Sequence, residues 1–428
     1  MRRDDRGQIP EIDGLRGIAI LLVMVHRLWP RDSMSALPAL GWIGVDLFFV
    51  VSGYLITRIL LATRDEPGYF RNFYARRVLR IFPLYYVFVC GVLAVGSAAM
   101  HAQAGSSAWY LMFLGNLPEG LFGKDPPYWL APVWSLAIEE QFYVTFPHLV
   151  RRLGRRRLVQ VLVGLFLLAP VVRAVTFIEW PEKDRLQYLF TFCRTDAIAA
   201  GCLLAILASS KWFQRMRRPF ALVVGAAAIV AVASGLDRTT TWGRVGGYSV
   251  VAAGFAGLVG LVLLARGHRA TAALRLPWLR YVGRLCFGLY LLHRVADTLT
   301  NAGAARLGLD ATTGIAWVPV KIAVAIGLAS LSWFVLERRM LRLKRYFSSA
   351  AHPSARPAVA AVTIVLLAGC SFPHGSAVAG VAADAPGRPG RDARPDAAQL
   401  DSAGDAATAS DAATASDAGD AGTTTATG

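Results

Sequence analysis

The chain has 428 residues, 55% hydrophobic and only 17% charged, with a mean hydropathy of +0.45. Soluble domains carry about 25% charged residues, and here the apolar residues come in blocks long enough to cross a bilayer core. An ordinary soluble enzyme is excluded, and the composition is that of a multi-pass membrane protein. The 45 Lys and Arg against 28 Asp and Glu leave +17. The basic residues sit in short clusters between apolar blocks, a pattern of membrane topology and not of nucleic-acid binding.

Those clusters orient ten expected spans in an all-α polytopic fold with a cytoplasmic N-terminus. Arg2, Arg3 and Arg6 precede span 1 (15–29). Span 2 (42–61) leads into Arg64, Arg71, Arg76, Arg77 and Arg80, and span 3 (81–100) into a long outer loop. In that loop Trp109, Tyr110, Met112 and Phe113 suggest an interfacial or re-entrant helix. Span 4 (133–150) ends at Arg151 and Arg152, and span 6 (192–208), after span 5 (158–177), ends at Lys211 and Arg215. Spans 7 (220–236) and 8 (243–265) are followed by Arg266 and Arg269, and spans 9 (282–299) and 10 (314–336) by Arg338 and Arg339. Every large basic cluster then lies on one side, as the positive-inside rule requires. In span 8, Gly254, Gly257 and Gly260 are expected to serve close helix contact.

The spans and their flanks occupy 9–345. A basic linker and a short apolar run (358–369) before Cys370 fill 346–370. That run reads as a short eleventh span carrying the tail outside, or, from Leu367-Ala368-Gly369-Cys370, as a lipoprotein-like cleavage box. The remainder, 371–428, repeats Asp-Ala-Ala-Thr-Ala-Ser at 405–410 and 411–416 and has no aromatic residue after Phe372. It cannot bury enough apolar surface to order itself. The five cysteines form no C-x-x-C pair, so buried free thiols are expected, with no disulfide framework and no metal site.

A charge at mid-bilayer costs roughly 2.5–3.5 kcal/mol on insertion scales, so charges inside spans point to function. Span 1 holds Arg16 and His26, with Asp13 at its edge as a candidate N-cap. Span 2 holds Asp46, Ser52 and Thr57; span 4 holds Ser135, Glu139, Glu140 and Gln141; span 6 holds Arg194 and Asp196; span 9 holds His293 and Asp297. His26 suits a general base near neutral pH, or is a satisfied histidine at a helix end. Glu139 and Glu140 stand about 100° apart on a helix, so one can line a cavity while the other pairs with a basic residue. Arg194 and Asp196 either neutralise partners on other helices or act in a site. Arg76, Arg77 and Arg80 cluster at the membrane surface, where they can hold cofactor phosphates, mark topology or meet anionic headgroups.

Several of these residues lie in blocks that together resemble acyltransferase family 3. The blocks are Ile12-Asp13-Gly14-Leu15-Arg16-Gly17 with His26, then Gly44-Val45-Asp46-Leu47-Phe48-Phe49 with Ser52-Gly53-Tyr54. Phe73-Tyr74-Ala75-Arg76-Arg77 with Arg80, Trp134-Ser135-Leu136 with Glu139-Glu140-Gln141, Arg194-Thr195-Asp196 and Tyr290-Leu291 with His293 follow in the family's order. The resemblance implies an inner-membrane O-acyltransferase that moves an acyl group, usually acetyl, from acyl-coenzyme A to a carbohydrate hydroxyl, such as a surface polysaccharide or glycolipid. A macrolide acceptor and a transporter are the alternatives. It further implies His26 as the catalytic base with Arg16 as its motif partner, Glu139 as the acid of span 4, and Arg77 and Arg80, with Arg76, toward the coenzyme. Asp46, Ser52, Glu140, Arg194 and Asp196 are expected to line a cavity between spans 1, 2, 4 and 6.

One spacing departs from the family. Nine residues separate Arg16 from His26 where ten are common, and Arg27 takes the expected position. Eleven positions return a helix to about 20°, whereas ten leave about 80° between side chains. Some family members carry a C-terminal hydrolase-like domain, and no nucleophile motif stands in the tail of this chain. Final transfer is therefore expected in the membrane domain or with a separate envelope partner.

Overall fold

The computed structural model describes residues 9–96, 107–234 and 240–347. The expected eleventh span or cleavage box and the tail lie outside the described residues. Among those described there is no strand, and ten long helices follow one another. They are α1 (Pro10–Leu28), α2 (Ile43–Thr63), α3 (Tyr69–Val95), α4 (Val133–Arg152) and α5 (Arg155–Glu179). Then come α6 (Thr195–Ala208), α7 (Arg217–Ser234), α8 (Tyr248–Leu264), α9 (Pro277–Arg306) and α10 (Trp317–Ser332). Each coincides with one expected span, although the ends move. Among its described residues the outer loop holds two short helices, Ala108–Leu111 and Asn116–Phe122, where one interfacial or re-entrant helix was expected.

Two ends bear on the site. α1 begins at Pro10, whose missing N–H costs nothing in a first turn, so Ile9 and not Asp13 is the N-cap. α3 begins at Tyr69, twelve residues before the expected span, so Arg76, Arg77 and Arg80 stand on the helix itself.

Seven helices, α2, α3, α5, α6, α7, α8 and α10 with their flanks, are long and apolar enough to cross a membrane. The three that fall short are α1, α4 and α9, which carry Arg16, Glu139 and His293. Large apolar side chains are exposed along α5, α7 and α10, among them Leu167, Val171, Leu222, Ile229, Val232 and Leu331. So much exposed apolar surface is unsuited to water and suits lipid tails. Cys90 is likewise exposed, whereas Cys193, Cys202 and Cys286 are buried, and all four are free thiols.

Small residues let the inner helices touch. A Cβ on Gly201 of α6 would overlap the Val50 carbonyl oxygen of α2, and one on Gly53 of α2 would overlap the Ile198 carbonyl oxygen of α6. α1 and α9 meet the same way, through Gly283 against the Asp13 carbonyl. In α8, Gly257 and Gly260 receive Phe220 of α7 and Gly254 faces Ala227, the close packing expected of them. Gly201→Ala is therefore expected to cost about 1–3 kcal/mol or more, because the clash is with backbone. Gly225→Ala on α7, where a Cβ meets nothing within 4 Å, should be neutral. Size-exclusion recovery of detergent-solubilised protein after heating compares the two variants; equal recovery would contradict the α2–α6 contact.

Candidate active site

Five helices enclose a cavity of about 230 Å³. α1 contributes Arg16; α3 contributes Arg77, Arg80 and Ile81; α9 contributes Cys286, Phe287 and Tyr290. α4 supplies Ser135, Leu136, Glu139 and Tyr143, and α2 lays down a mostly apolar wall broken by Ser52. The lining thus draws on helices 1, 2, 3, 4 and 9, and α6, expected to take part, contributes none of it.

The polar groups in the cavity are organised around Glu139. Ser52 donates to its Oε1 at 3.1 Å and Tyr143 to its Oε2 at 2.8 Å, with the two hydroxyls 3.1 Å apart. Tyr143 stands one turn below Glu139 on α4, so i,i+4 spacing builds half of the arrangement. Arg77 lies over the Tyr143 ring, its guanidinium carbon 5.3 Å from the centroid. Arg16 donates to the Cys286 sulfur at 2.9 Å. At the other end of the cavity Ser135 donates to the Tyr290 hydroxyl at 2.7 Å. Three guanidiniums, a carboxylate and four hydroxyls therefore share one largely apolar pocket. No group of three His, Cys, Asp or Glu side chains able to hold a metal ion occurs among the described residues.

Glu140 points away from this pocket, as the 100° step requires. It is buried at 8% exposure, its Oε1 has no hydrogen-bond partner and it forms no ion pair among the described residues. The pairing with a basic residue expected for it is not seen. Arg76 is also not in the cavity lining; its Nε donates to the Phe347 carbonyl at 2.8 Å.

Asp46, Arg194 and Asp196, expected in the cavity, lie instead in a separate ionic core. Arg194 pairs with Asp46 at 2.7 Å and Arg173 with Asp196 at 2.9 Å, all four side chains wholly buried. Ser249 bridges them further, accepting from Arg173 at 2.7 Å and donating to Asp196 at 2.7 Å. Arg194 also stacks over Tyr248, 4.3 Å from the centroid. The reason is packing: α6 presses on α2 at Gly53 and Gly201, and its charged first turn meets α5 and the π-helical turn before α8, not the pocket.

His26 is outside the cavity lining as well. Ten residues of α helix place it about 15 Å from Arg16 along the axis. There its Nδ1 meets the Pro38 carbonyl at 2.8 Å. In the neutral ring that contact puts the proton on Nδ1 and makes Nε2 the basic nitrogen. Arg16 lines the pocket and His26 does not, while Arg27 bears electrostatically on Tyr290 and His293 of α9. His293 itself is buried, with Nδ1 at 2.8 Å from the Tyr290 carbonyl. Asp297 accepts from Tyr128 at 2.5 Å and pairs with Lys321 at 2.7 Å. Sequence reasoning gave no site role to Arg173, Tyr143 or Cys286; Tyr143 closes the family-like block that begins at Glu139, and the other two were marked only by their position inside apolar blocks.

The family model of the acyltransferase domain, acyltransferase family 3, matches residues 9–334. The chain belongs to this family. The peptidoglycan O-acetyltransferase OatA of Listeria monocytogenes is 28% identical, over 78% of this chain and 56% of its own. YrhL of Bacillus subtilis is 29% identical over 77% and 54%, and the O-acetyltransferase OatA of Staphylococcus aureus 30% identical over 46% and 34%. The chain spans about half the length of the first two curated relatives it matches. No solved structure matches it.

Proposed function

We propose that the chain is a multi-pass membrane O-acetyltransferase that moves an acetyl group from acyl-coenzyme A to a carbohydrate hydroxyl, with peptidoglycan the acceptor to test first. The observation that carries this reading is the convergence of Arg16, Arg77 and Arg80, from two helices distant in sequence, on one pocket that also holds Glu139. Guanidiniums suit a phosphate-bearing donor, and the peptidoglycan acceptor rests on what the relatives are named for. The reading takes ten spans with a cytoplasmic N-terminus, supported by the ten long helices and the one-sided basic clusters.

In this reading the donor enters from the cytoplasmic end, beside Arg77 and Arg80, and its thioester reaches toward Ser135 and Tyr290. Tyr290 lies toward the outer part of α1, which carries Arg27 and His26. The acceptor oxygen attacks the thioester carbonyl carbon, the carbon–sulfur bond breaks, and the coenzyme leaves as its thiolate. His26 Nε2 takes the hydroxyl proton and returns it to the thiolate. A thioester is already activated, so the protein has chiefly to position and to move one proton.

The test is acetate released by mild base from cell walls of a strain lacking other wall acetyltransferases, with and without this chain. Acetate that appears only with the chain supports the reading; equal amounts, with the chain confirmed in the membrane, overturn it. Ser52→Ala removes one of two donors on Glu139, worth about 0.5–1.5 kcal/mol. It is expected to lower acetyl transfer by less than about tenfold, read as initial rate on the same walls.

A further inference from the structure

The part of the cavity lining supplied by α1 and α3 carries a charge pattern that the acid–hydroxyl cluster does not use. Arg16, Arg77 and Arg80 make no ion pair among the described residues, although Glu139 lines the same pocket. A further cation stands close by on a separate piece of chain. After α10 the helix tightens into the turn Leu343–Phe347, which packs along α3. Arg76 of α3 holds that turn by its bond to the Phe347 carbonyl, and the Phe347 ring is buried at 5% exposure. In such a 3₁₀ turn residues i and i+3 eclipse, so Lys344 shares the α3-facing side with Phe347. The ammonium accordingly lies within the electrostatic reach of Arg80, Arg77, Arg76 and Arg16. It too forms no ion pair among the described residues.

Five cations thus gather where the nearby carboxylates are Asp13, Glu139, Glu140 and Glu337. Among the described residues none of the four forms an ion pair with any of the five. Glu139 is turned to Ser52 and Tyr143, and Glu337 accepts from Ser332 at 3.3 Å. Cations held together by the fold with no counter-charge in contact repel one another, and a bound polyanion relieves that repulsion.

We propose that Lys344 joins Arg77 and Arg80 in a phosphate-binding site at this end of the cavity, with the 343–347 turn tethered by Arg76 so as to present the lysine. Resting on the acyl-coenzyme A reading, it makes Lys344 the residue that recognises the phosphorylated end of the donor, while the acyl end is read deeper in the pocket. The same chemistry would also hold the phosphates of an anionic lipid, and the experiment separates the two.

Purified full-length chain in nanodiscs of zwitterionic lipid is titrated with coenzyme A and with inorganic pyrophosphate. Lys344→Ala is expected to weaken binding of both about tenfold, as loss of one charged hydrogen bond to phosphate does. Lys344→Arg should restore it, and Arg345→Ala, which removes an exposed cation of the same turn, should leave it unchanged. Initial rates with acetyl-coenzyme A should show the loss in KM, whereas acetyl-pantetheine, which lacks the phosphates, should give the same KM in both proteins. An unchanged coenzyme and pyrophosphate affinity in Lys344→Ala overturns the inference, as does an equal loss with acetyl-pantetheine. If pyrophosphate binds through Lys344 but coenzyme A does not bind at all, the phosphate site stands and the donor reading falls. If Lys344→Ala alters only the retention of phosphatidylglycerol in mixed-lipid discs, the site belongs to headgroups and the inference falls.

Discussion

Arg194→Ala is expected to destabilise the folded chain by about 3–5 kcal/mol, the scale of leaving one member of a buried ion pair without its partner. Asp46 would then sit wholly buried in the bundle with its carboxylate uncompensated. The loss also removes the guanidinium stacked on Tyr248. The double variant Asp46→Asn with Arg194→Gln keeps the volume and a hydrogen bond while removing both charges, and should recover much of the stability. Apparent melting temperatures in one detergent, arranged as a double-mutant cycle, read the coupling. Additive losses from the two single variants would show that the pair does not act as one, and would leave the α2–α6 junction resting on Gly53 and Gly201 alone.

That ionic core shows where reading the sequence succeeds and where it stops. All ten long helices were legible because each combines an apolar block with a basic flank, and both signals are local. The distribution of polar residues among the helices was equally plain. Which of them meet was not, because a contact such as Ser52 with Glu139 joins residues 87 positions apart. Asp46, Arg194 and Asp196 were expected in the cavity because an unpaired charge in a bilayer is costly, and the alternative for Arg194 and Asp196, pairing across helices, is what the structure shows. The partner that makes Asp196 a structural residue, Arg173, gives no motif signal inside α5. Glu139 and Glu140 could be separated by helical angle but not assigned by it; the resemblance pointed to Glu139, and it is Glu139 that lines the pocket. The start of α3 was missed for a related reason. Its first turns carry Arg71, Arg76, Arg77 and Arg80, so hydropathy ends where the helix does not. Amphipathic extension past the apolar block is what places two of those arginines in the cavity.

His26→Ala is expected to lower acetyl transfer by roughly 10²–10⁴-fold, the usual contribution of a general base, at unchanged abundance in the membrane. The position of the histidine makes this the sharpest test of the proposed mechanism, because His26 is not among the residues lining the pocket that holds Glu139. Its bond to Pro38 gives it a structural duty as well, tying the end of α1 to the following segment. His26→Gln separates the two roles: the amide can still donate toward the Pro38 carbonyl, but it cannot take a proton. A base at this position predicts that the glutamine variant is as inactive as the alanine variant. Activity restored by glutamine would make His26 a positioning residue and move the proton transfer into the pocket. Glu139→Gln is the companion measurement, because the carboxylate already accepts from two hydroxyls there. Loss of activity in Glu139→Gln with retention in His26→Gln would assign the base to Glu139. Loss in both, with coenzyme binding intact, fits a proton taken at the outer end of α1 and a thioester positioned in the pocket below it.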